Sequence, residues 1–231
     1  MKKGIEIIYS EVAPTYELVN HILTFGLDIY WRRKTAKLAQ KKGGKLWLDI
    51  CSGTGELAKN LSKQSNINNR WILAVDGSLP MLSLAKKKEA GNNILFSIAD
   101  AGRLPFNDDT FDVITIGFAA RNLNFNSAAF LNYLREFRRI LKPGGLFLNL
   151  ETSQPGKKWI KKIFHGYVRS MVRPIGHLIS GSKAGYAYLS FTIPRFYGAG
   201  ELSDLLVRAD FRDVEYIQLF LGTAAIHTAE K

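Results

Sequence analysis

The chain has 231 residues and a formal net charge of +12, with 46% hydrophobic and 23% charged residues. This length and composition predict a single α/β domain with one buried core, and they exclude collagen-like and disordered chains. Cys51 is the only cysteine, which excludes an intramolecular disulfide and is compatible with a reducing compartment. No apolar stretch approaches the ~20 residues of a membrane span, so we expect a cytoplasmic protein.

Short apolar runs alternate with amphipathic stretches along the chain, a pattern typical of βαβ units around a parallel sheet. Residues from about 5 to 42 are helical in pattern, and we expect them to cap the sheet. The expected strands span residues 45–50, 71–75, 94–98, 111–117 and 146–150, and the helices between them span 56–63, 79–88 and 128–141. A turn at residues 142–145 should lead into the fifth strand.

The C-terminal third of the chain begins with an insertion-like stretch at about 155–197 that mixes aromatics, glycines and bases. A helix is expected after it at about 202–209, followed by strands at 214–218 and 224–228. These last strands suggest an antiparallel edge added to the parallel sheet.

The first expected strand ends in a glycine-rich loop, Asp49-Ile-Cys-Ser-Gly-Thr-Gly55, directly before an expected helix. In that context Gly53 and Gly55, which flank Thr54, let the backbone approach a cofactor, and the helix N-terminus offers N–H groups. Asp76, at the end of the second strand, is placed to accept both ribose hydroxyls of a nucleotide-like cofactor. The same loop fits the relaxed dinucleotide fingerprint, so these residues alone leave a nicotinamide enzyme open.

Three later features distinguish between these cofactors. Asp100 and Ala101 follow the third strand, where an Asp side chain and the adjacent N–H can bind an adenine edge. The string Leu-Pro-Phe-x-Asp-Asp-x-Phe-Asp at 104–112 leads into the fourth strand, and Leu-Lys-Pro-Gly-Gly at 141–145 turns into the fifth. This ordered set resembles the class I S-adenosylmethionine-dependent methyltransferases and is unlike dehydrogenases.

That resemblance implies an α/β, Rossmann-like fold with a mostly parallel seven-stranded sheet and an antiparallel C-terminal edge. It implies one methyltransferase domain over residues 1–231, with S-adenosylmethionine as cofactor and Gly117 in its binding site. No metal is implied, because the four histidines lack the spacing of metal ligands.

Further motifs narrow the resemblance. They are Tyr9-Ser-x-Val-Ala-x-x-Tyr16-x-x-x-Asn20, Phe25-Gly26, Trp31-Arg32, Gly117-Phe-Ala-Ala-Arg121-Asn122-Leu, Leu150-Glu-Thr-Ser-Gln-Pro155, Tyr186-x-Tyr188-Leu189 and Gly222-Thr-Ala-Ala-Ile-His227. Together they are similar to the menaquinone/ubiquinone biosynthesis C-methyltransferase family, over nearly the whole chain. One departure is Gly117, where that family usually has a small polar residue.

The family resemblance implies methyl transfer from S-adenosylmethionine to a ring carbon of a prenylated quinol. Demethylmenaquinol is the favoured substrate because the short chain resembles prokaryotic members, and a ubiquinone precursor is the alternative. The ring carbon becomes nucleophilic beside a phenolate, and phenols ionise only near pH ~10. Arg121 is therefore expected to stabilise the phenolate, Asn122 to orient the ring oxygen or a water, and Tyr16 to cover the site.

The charge is unevenly distributed along the chain. No acidic residue lies between Glu151 and Glu201, whereas lysines and arginines recur there among aromatic and aliphatic residues from Lys157 to Lys183. We expect this stretch to bind the anionic inner face of a membrane, from which a prenyl tail would be collected. A solvated helix packed on the sheet is the alternative, and a homodimer is left open.

Two rival functions share the expected fold. A nucleic-acid methyltransferase would suit the net charge of +12. However, Gly-Phe-Ala-Ala-Arg at 117–121 stands where amino-group methylases carry Asn or Asp before Pro-Pro and an aromatic, so no nucleic acid is expected. A non-catalytic cofactor-binding scaffold is the other rival, and the intact glycine loop argues only against lost binding.

Overall fold

The fold is a seven-stranded mixed sheet covered by helices, in a computed structural model that describes residues 11–65, 69–88 and 93–231. Tyr9 and the start of the expected N-terminal cap lie outside the described residues. The strands are β1 Leu46–Ile50, β2 Trp71–Asp76, β3 Ile94–Ile98, β4 Phe111–Gly117, β5 Leu141–Thr152, β6 Arg212–Leu219 and β7 Ala224–Glu230. Their order across the sheet is β3-β2-β1-β4-β5-β7-β6.

The first five strands are parallel, and β7 runs antiparallel between β5 and β6. The predicted fold class, with its antiparallel C-terminal edge, is therefore confirmed. In an open parallel sheet the carboxyl ends of neighbouring strands form one edge, where ligands bind. Here that edge gathers the loops after β1, β2 and β4.

The helices are numbered α1 to α10 in chain order. They are α1 Tyr16–Leu23, α2 Leu27–Lys42, α3 Glu56–Ser65, α4 Leu79–Lys87, α5 Ala120–Leu123, α6 Ser127–Ile140, α7 Lys158–Tyr167, α8 Arg173–Ser180, α9 Lys183–Thr192 and α10 Ala199–Arg208. A π-helical segment, Val168–Val172, joins α7 to α8, so residues 158–180 form one nearly continuous helix. In the described part of the chain, no helix is long and apolar enough to cross a bilayer.

Both faces of the central strands are buried, because their side chains alternate between two apolar cores. Trp47 of β1 packs into the core beneath α2 and α3, whereas Leu48 and Ile50 pack into the core beneath α6 and α10. Trp47 and Leu48 are fully buried. The apolar runs read from the sequence therefore form the strands of a two-sided sheet.

The turn expected at residues 142–145 lies inside a strand. Leu141 already pairs with Phe111, and the β4–β5 register then shifts between Phe111 and Val113. Gly144 has a φ of +69°, a conformation that glycine adopts without steric cost. Because the buried Leu141 is held in the ladder, β5 begins five residues before the predicted start at 146.

A third apolar cluster joins the N-terminal helices to the helices that follow β5. It contains Val19 of α1, the π-helical residues Val168 and Val172, and Tyr186 and Leu189 of α9. Helices from distant parts of the sequence thus form one layer beside the sheet.

Gly176 permits the close approach of α8 and α9, since a Cβ there would lie 2.0 Å from the ring of the buried Tyr186. Gly176→Ala should lower the free energy of unfolding by about 1–3 kcal/mol through overpacking. Gly166→Ala in α7 is the matched control, because its Cβ would meet nothing within 4 Å. That change should stabilise the protein by a few tenths to ~1 kcal/mol. Thermal melts of both variants check this, and equal effects of the two substitutions would contradict it.

Candidate active site

The glycine-rich loop after β1 has a left-handed backbone at three positions: Cys51, Gly53 and Gly55 have φ values of +53°, +57° and +80°. A Cβ on Gly55 would lie 3.0 Å from the Cβ of Ala85, so glycine there lets the loop lie against α4. A Cβ on Gly53 would meet nothing within 4 Å. The loop is therefore packed on one side and open on the other.

Asp76 links this loop to the end of β2. Its Oδ2 accepts the backbone N–H of Gly53 at 2.8 Å, and its Oδ1 accepts the backbone N–H of Ser78 at 2.8 Å. Ser78 is the N-cap residue of α4. The carboxylate thus fixes the glycine loop and the start of the following helix relative to one another.

Asp49 is a buried acid at the carboxyl end of β1. Its Oδ1 accepts a hydrogen bond from Thr115 Oγ1 at 2.6 Å, and its Oδ2 has no partner among the described residues. Burial raises the pKa of Asp49 to about 7, although the Thr115 hydroxyl, the Ala58 amide and the Arg32 cation act to lower it. The unpartnered oxygen lies in a cleft where a cationic group would find an acceptor.

This cleft encloses about 60 Å³ at the carboxyl edge of the sheet, and we call it the cofactor cleft. Six of the residues singled out in the sequence line it: Tyr16, Asp49, Thr54, Asp76, Gly117 and Asn122. Arg32, Ser52, Glu56 and Phe118 also line it. Sequence reasoning assigned no site role to these four.

Asp100 and Ala101 do not line the enclosed part of the cleft. They follow β3, where Asp100 Oδ1 accepts the backbone N–H of Gly102 at 3.0 Å. That hydrogen bond lowers the pKa of Asp100, so its side chain is a carboxylate at neutral pH. The charge of Asp100 also acts to raise the pKa of the Cys51 thiol, which lines the cleft, so Asp100 lies near the cleft without lining its enclosed part.

Arg121 forms a buried ion pair after β4. Its Nη1 lies 2.8 Å from Glu151 Oε1 and 3.0 Å from Thr152 Oγ1, and its backbone N–H donates to Glu151 Oε2 at 3.0 Å. Arg121 and Glu151 are 5% and 1% exposed. The pair ties the short helix α5, which carries Arg121, to the carboxyl end of β5.

A second and larger cavity, the apolar cavity, has a volume of about 380 Å³. Its walls come from α1, α2, α7, the π-helical segment and α9, and include Leu27, Trp31, Ile160, Phe164 and Leu189. Tyr16, Arg32 and Phe118 line both the apolar cavity and the cofactor cleft.

The neighbours Arg121 and Asn122 face different spaces. Arg121 lines the apolar cavity, whereas Asn122 lines the cofactor cleft. Helix α5 therefore lies at the boundary between the two. Burial raises the pKa of Tyr16, and Arg121 acts in the opposite direction, so the Tyr16 hydroxyl is neutral at this boundary.

Glu151 and Arg32 are among the site residues that sequence reasoning missed. Glu151 and Arg32 stand in motifs that carry the family resemblance, but their sequence positions alone do not reveal a contact with the site. Asp28 was also missed; it is 1% exposed and accepts from His21 Nδ1 at 2.9 Å, Thr24 Oγ1 at 2.8 Å and Arg32 Nη1. Although burial acts to raise the pKa of Asp28, Arg32 and these hydrogen bonds hold it below its usual value.

Comparison with known proteins agrees with this geometry. The model of the ubiE/COQ5 methyltransferase family matches residues 1–231. The chain belongs to the ubiE/COQ5 methyltransferase family. The predicted family and the predicted methyltransferase activity are thus confirmed.

Two curated relatives cover almost the whole chain. It is 37% identical to "Demethylmenaquinone methyltransferase" of Thermus thermophilus, over 97% of this chain and 100% of that protein. It is 36% identical to "Ubiquinone/menaquinone biosynthesis C-methyltransferase UbiE" of Desulfotalea psychrophila, over 99% of this chain and 90% of that protein.

Solved structures share the fold at low sequence identity. A SAM-dependent methyltransferase from Aquifex aeolicus matches with a TM-score of 0.58 at 19% identity, over 85% of this chain and 88% of that one. A SAM-dependent methyltransferase from Thermotoga maritima matches with a TM-score of 0.61 at 18% identity, over 94% and 98%. The cofactor of this family member is S-adenosylmethionine, as predicted.

The cleft fits that cofactor. The open side of Gly53 leaves room against the loop, and the Oδ2 of Asp49 and the Oγ of Ser52 have no partner among the described residues. Cys51 also lines the cleft, and burial raises the pKa of its thiol well above the usual range. A thiol in that state is a poor nucleophile, which argues against a covalent role for Cys51.

The raised pKa of Asp49 makes stability depend on pH. In the unfolded chain this carboxyl ionises near pH ~4, whereas in the fold it ionises near pH 7. Between these values the unfolded chain holds fewer protons, so Asp49 lowers stability as the pH rises through that window. In Asp49→Asn this loss should be absent. Between about pH 4 and pH 8, the free energy of unfolding of the variant should therefore rise on the order of a few kcal/mol relative to that of the parent. Thermal melts across that range measure the difference, and a difference that does not change with pH would contradict the account.

Proposed function

We propose that this ubiE/COQ5 family member transfers the methyl group of S-adenosylmethionine to a ring carbon of a prenylated quinol, converting demethylmenaquinol to menaquinol. The observation that carries the proposal is the apolar cavity of about 380 Å³ directly beside the cofactor cleft, with Tyr16, Arg32 and Phe118 common to both. The names of the relatives from Thermus thermophilus and Desulfotalea psychrophila support the choice of a quinone-pathway substrate.

The walls of the apolar cavity suit a ring with a hydrocarbon tail. Aromatic and aliphatic side chains dominate them, including Trp31, Ile160 and Phe164. Burying apolar ligand surface against such walls contributes about 25 cal/mol per Å². The few polar side chains, among them Arg121 and Thr152, lie where they could select the orientation of a ring hydroxyl.

Carbon methylation needs an electron-rich ring. When bound, S-adenosylmethionine supplies an electrophilic methyl group on a sulfonium centre. The protein must favour the phenolate of the quinol, because a free phenol ionises only near pH ~10. A guanidinium beside the ring oxygen lowers that pKa and stabilises the anion, and Arg121 faces the cavity in which the ring would lie.

Each neighbour of Arg121 has a role in this proposal. Glu151 holds the guanidinium by the 2.8 Å ion pair and fixes its orientation. Asn122 orients the ring oxygen or a water from the side of the cofactor cleft. Tyr16, whose hydroxyl is neutral, covers the boundary between the two spaces.

The cofactor end of the site is assigned to the residues predicted from the sequence. Asp76 accepts the ribose hydroxyls, and Asp49, Gly53, Thr54, Gly55 and Gly117 hold the rest of the cofactor at the glycine loop and the end of β4. Asp100 and Ala101, beyond the enclosed cleft, bind the adenine edge.

The direct test of the proposed reaction supplies a labelled methyl donor and both reduced precursors, demethylmenaquinol and the corresponding ubiquinone precursor. Mass spectrometry should find the label on a ring carbon of the naphthoquinol. Transfer to the benzoquinol alone would replace the favoured substrate by the alternative one. Transfer to neither, or equal transfer to the oxidised quinones, would contradict the proposed chemistry.

Arg121→Ala should leave the Kd of the cofactor within about twofold of the parent value. It should reduce kcat by about 100-fold or more, because the group that stabilises the phenolate charge is lost. Calorimetric titration with S-adenosylhomocysteine and a turnover assay measure the two quantities. The substitution leaves Glu151 buried without its cation, which can cost about 3–5 kcal/mol of stability. The double variant Arg121→Ala/Glu151→Gln removes both charges and is the folding control. Turnover close to that of the parent in either variant would exclude Arg121 from catalysis.

The proposal includes binding to the anionic inner face of a membrane. Four apolar side chains line the mouth of the apolar cavity although more than half of the surface of each is exposed. They are Phe25 at 78%, Ile163 at 64%, Phe220 at 56% and Leu221 at 65%. Phe220 and Leu221 have φ values of +38° and +58°, a left-handed conformation that is costly for such residues. A bilayer would cover these side chains and would deliver a prenyl tail to the mouth of the cavity.

Helix α7 carries the charges that suit such a surface. Trp159 is 62% exposed and lies one turn from Ile163, and Lys157, Lys158, Lys161 and Lys162 are exposed around them. Exposed aromatic and aliphatic side chains among lysines are typical of a helix that lies in the headgroup region. The inward side of the same helix, with Ile160 and Phe164, lines the apolar cavity.

Neutralising two lysines of α7 should weaken membrane binding. Each lysine near an anionic surface contributes about 1 kcal/mol, so Lys161→Gln/Lys162→Gln should reduce binding to phosphatidylglycerol vesicles roughly 30-fold at low salt. The matched control is Lys86→Gln/Lys87→Gln, which removes the same charge from exposed positions of α4. Vesicle co-sedimentation measures both. Equal losses in the two variants, or equally strong binding of the parent to neutral vesicles, would contradict the proposed surface.

A further inference from the structure

Phe118 directly follows β4, and its half-buried side chain lines both the cofactor cleft and the apolar cavity. Its backbone is left-handed, with a φ of +56°, and its N–H donates to the Leu150 carbonyl at 2.7 Å. This conformation is costly for a residue with a large side chain and costs glycine nothing. Backbone strain of this kind is concentrated at functional sites. A phenylalanine in a conformation that suits glycine indicates that the ring itself serves a purpose here.

The Phe118 ring is held in place by two residues of α2. Its centre lies 6.2 Å from that of the buried Trp31 ring, with an angle of 44° between the two planes. On the same helix, the guanidinium carbon of Arg32 lies 5.2 Å from the Phe118 ring centre, and Arg32 is itself paired with Asp28. The ring is therefore a fixed part of the wall between the two spaces.

The acceptor in the proposed reaction has two nucleophilic atoms. A quinol anion shares its negative charge between the phenolate oxygen and the neighbouring ring carbon. Attack by carbon forms a C–C bond as the methyl–sulfur bond breaks, sulfur keeps the electron pair, and the ring carbon then releases its proton to water. Attack by oxygen forms a C–O bond with the same loss of the thioether, and no ring proton leaves. The position of the acceptor decides between these products, because the attacking atom must lie in line with the methyl group.

The placement of Arg121 favours carbon. Arg121 lines the apolar cavity and does not line the cofactor cleft. Its Nη1 is fixed by Glu151 Oε1 at 2.8 Å and by Thr152 Oγ1 at 3.0 Å. A phenolate oxygen bound to this guanidinium is kept on the side of the cavity, away from the methyl donor. The ring carbons are then closer to the shared wall than the oxygen is.

We propose that Phe118 determines the carbon specificity of the reaction: its ring stops the quinol anion from turning its oxygen towards the methyl group. This inference rests on the proposed function, because it takes the quinol to lie in the apolar cavity with its oxygen at Arg121. Arg121 stabilises the charge on whichever atom carries it and so cannot select the atom alone. Phe118 supplies that selection as a rigid apolar wall.

The two products can be separated by oxidation. The carbon-methylated quinol reoxidises to a quinone, whereas the O-methyl ether does not, because a quinone forms only when both ring hydroxyls are free. The protein is incubated with labelled S-adenosylmethionine and demethylmenaquinol, the mixture is oxidised, and mass spectrometry measures the share of label in the ether. The parent protein should place nearly all of the label in the quinone.

Phe118→Gly is the decisive variant, since it removes the ring and relieves the left-handed backbone at the same time. The share of O-methyl ether should rise at least about tenfold, which corresponds to about 1.4 kcal/mol of discrimination between two transition states. Phe118→Leu keeps part of the bulk and should give a smaller rise. Phe164→Leu is the matched control, because Phe164 lines the apolar cavity but not the cleft, and it should leave the ether share at the parent value.

A rise of less than about tenfold in Phe118→Gly, or the same rise in Phe164→Leu, would overturn the proposal, the factor of ten being the about 1.4 kcal/mol above. Calorimetric titration with S-adenosylhomocysteine checks that each variant binds the cofactor. If Phe118→Gly does not bind it, Phe118→Leu decides, and an ether share equal to that of the parent would then overturn the proposal. Variants that bind the cofactor but methylate neither atom would also overturn it, since the ring would then be needed for transfer itself. A parent protein that methylates no quinol would instead contradict the proposed function.

Discussion

The buried ion pair between Arg121 and Glu151 is the interaction on which the geometry of the site depends. Removing two charges from water is expensive, and apolar replacements of similar volume are often as stable. Here both side chains are almost fully buried, and Glu151 also accepts the backbone N–H of Arg121. The pair therefore fixes the short helix α5 against β5, at the boundary between the cofactor cleft and the apolar cavity.

Two spaces of different chemistry adjoin at that helix. The cofactor cleft is formed by the carboxyl edge of the parallel sheet, with charged and polar groups such as Asp49 and Asp76. The apolar cavity is formed by helices from outside the sheet, which come from the N-terminal segment and from the stretch after β5. A polar methyl donor and a lipophilic acceptor have opposite solvation needs, and the fold provides a separate environment for each with a shared wall of Tyr16, Arg32 and Phe118.

The sequence was sufficient for features that arise from local chain geometry. The glycine loop and Asp76 could be predicted because turns after parallel strands require particular residues at particular positions. The apolar cavity could not, because it forms between α1 and the helices α7 and α9, which lie more than a hundred residues further along the chain. The pairing of Arg121 with Glu151 was likewise hidden, since the two residues lie on different elements and the partner of such a buried charge is decided by tertiary packing. Arg32 and Asp28 are four residues apart on α2, so their pairing is local, and tertiary packing decides only that the pair lies beside the site. The fifth strand begins earlier than its turn signal suggested because the buried Leu141 pairs with Phe111 ahead of the register shift.

The central claim is that a quinol ring in the apolar cavity meets the cofactor beside α5. A crystal structure with S-adenosylhomocysteine and a short-tailed demethylmenaquinone analogue tests it most directly. The account predicts that the analogue lies in the apolar cavity, with its ring next to Arg121 and its tail directed towards Phe25 and Ile163. Its unmethylated ring carbon should face the cofactor sulfur, and the gap between these two atoms should be no wider than a methyl group fills. A quinone bound elsewhere, or a ring separated from the sulfur by the side chains of α5, would contradict the account.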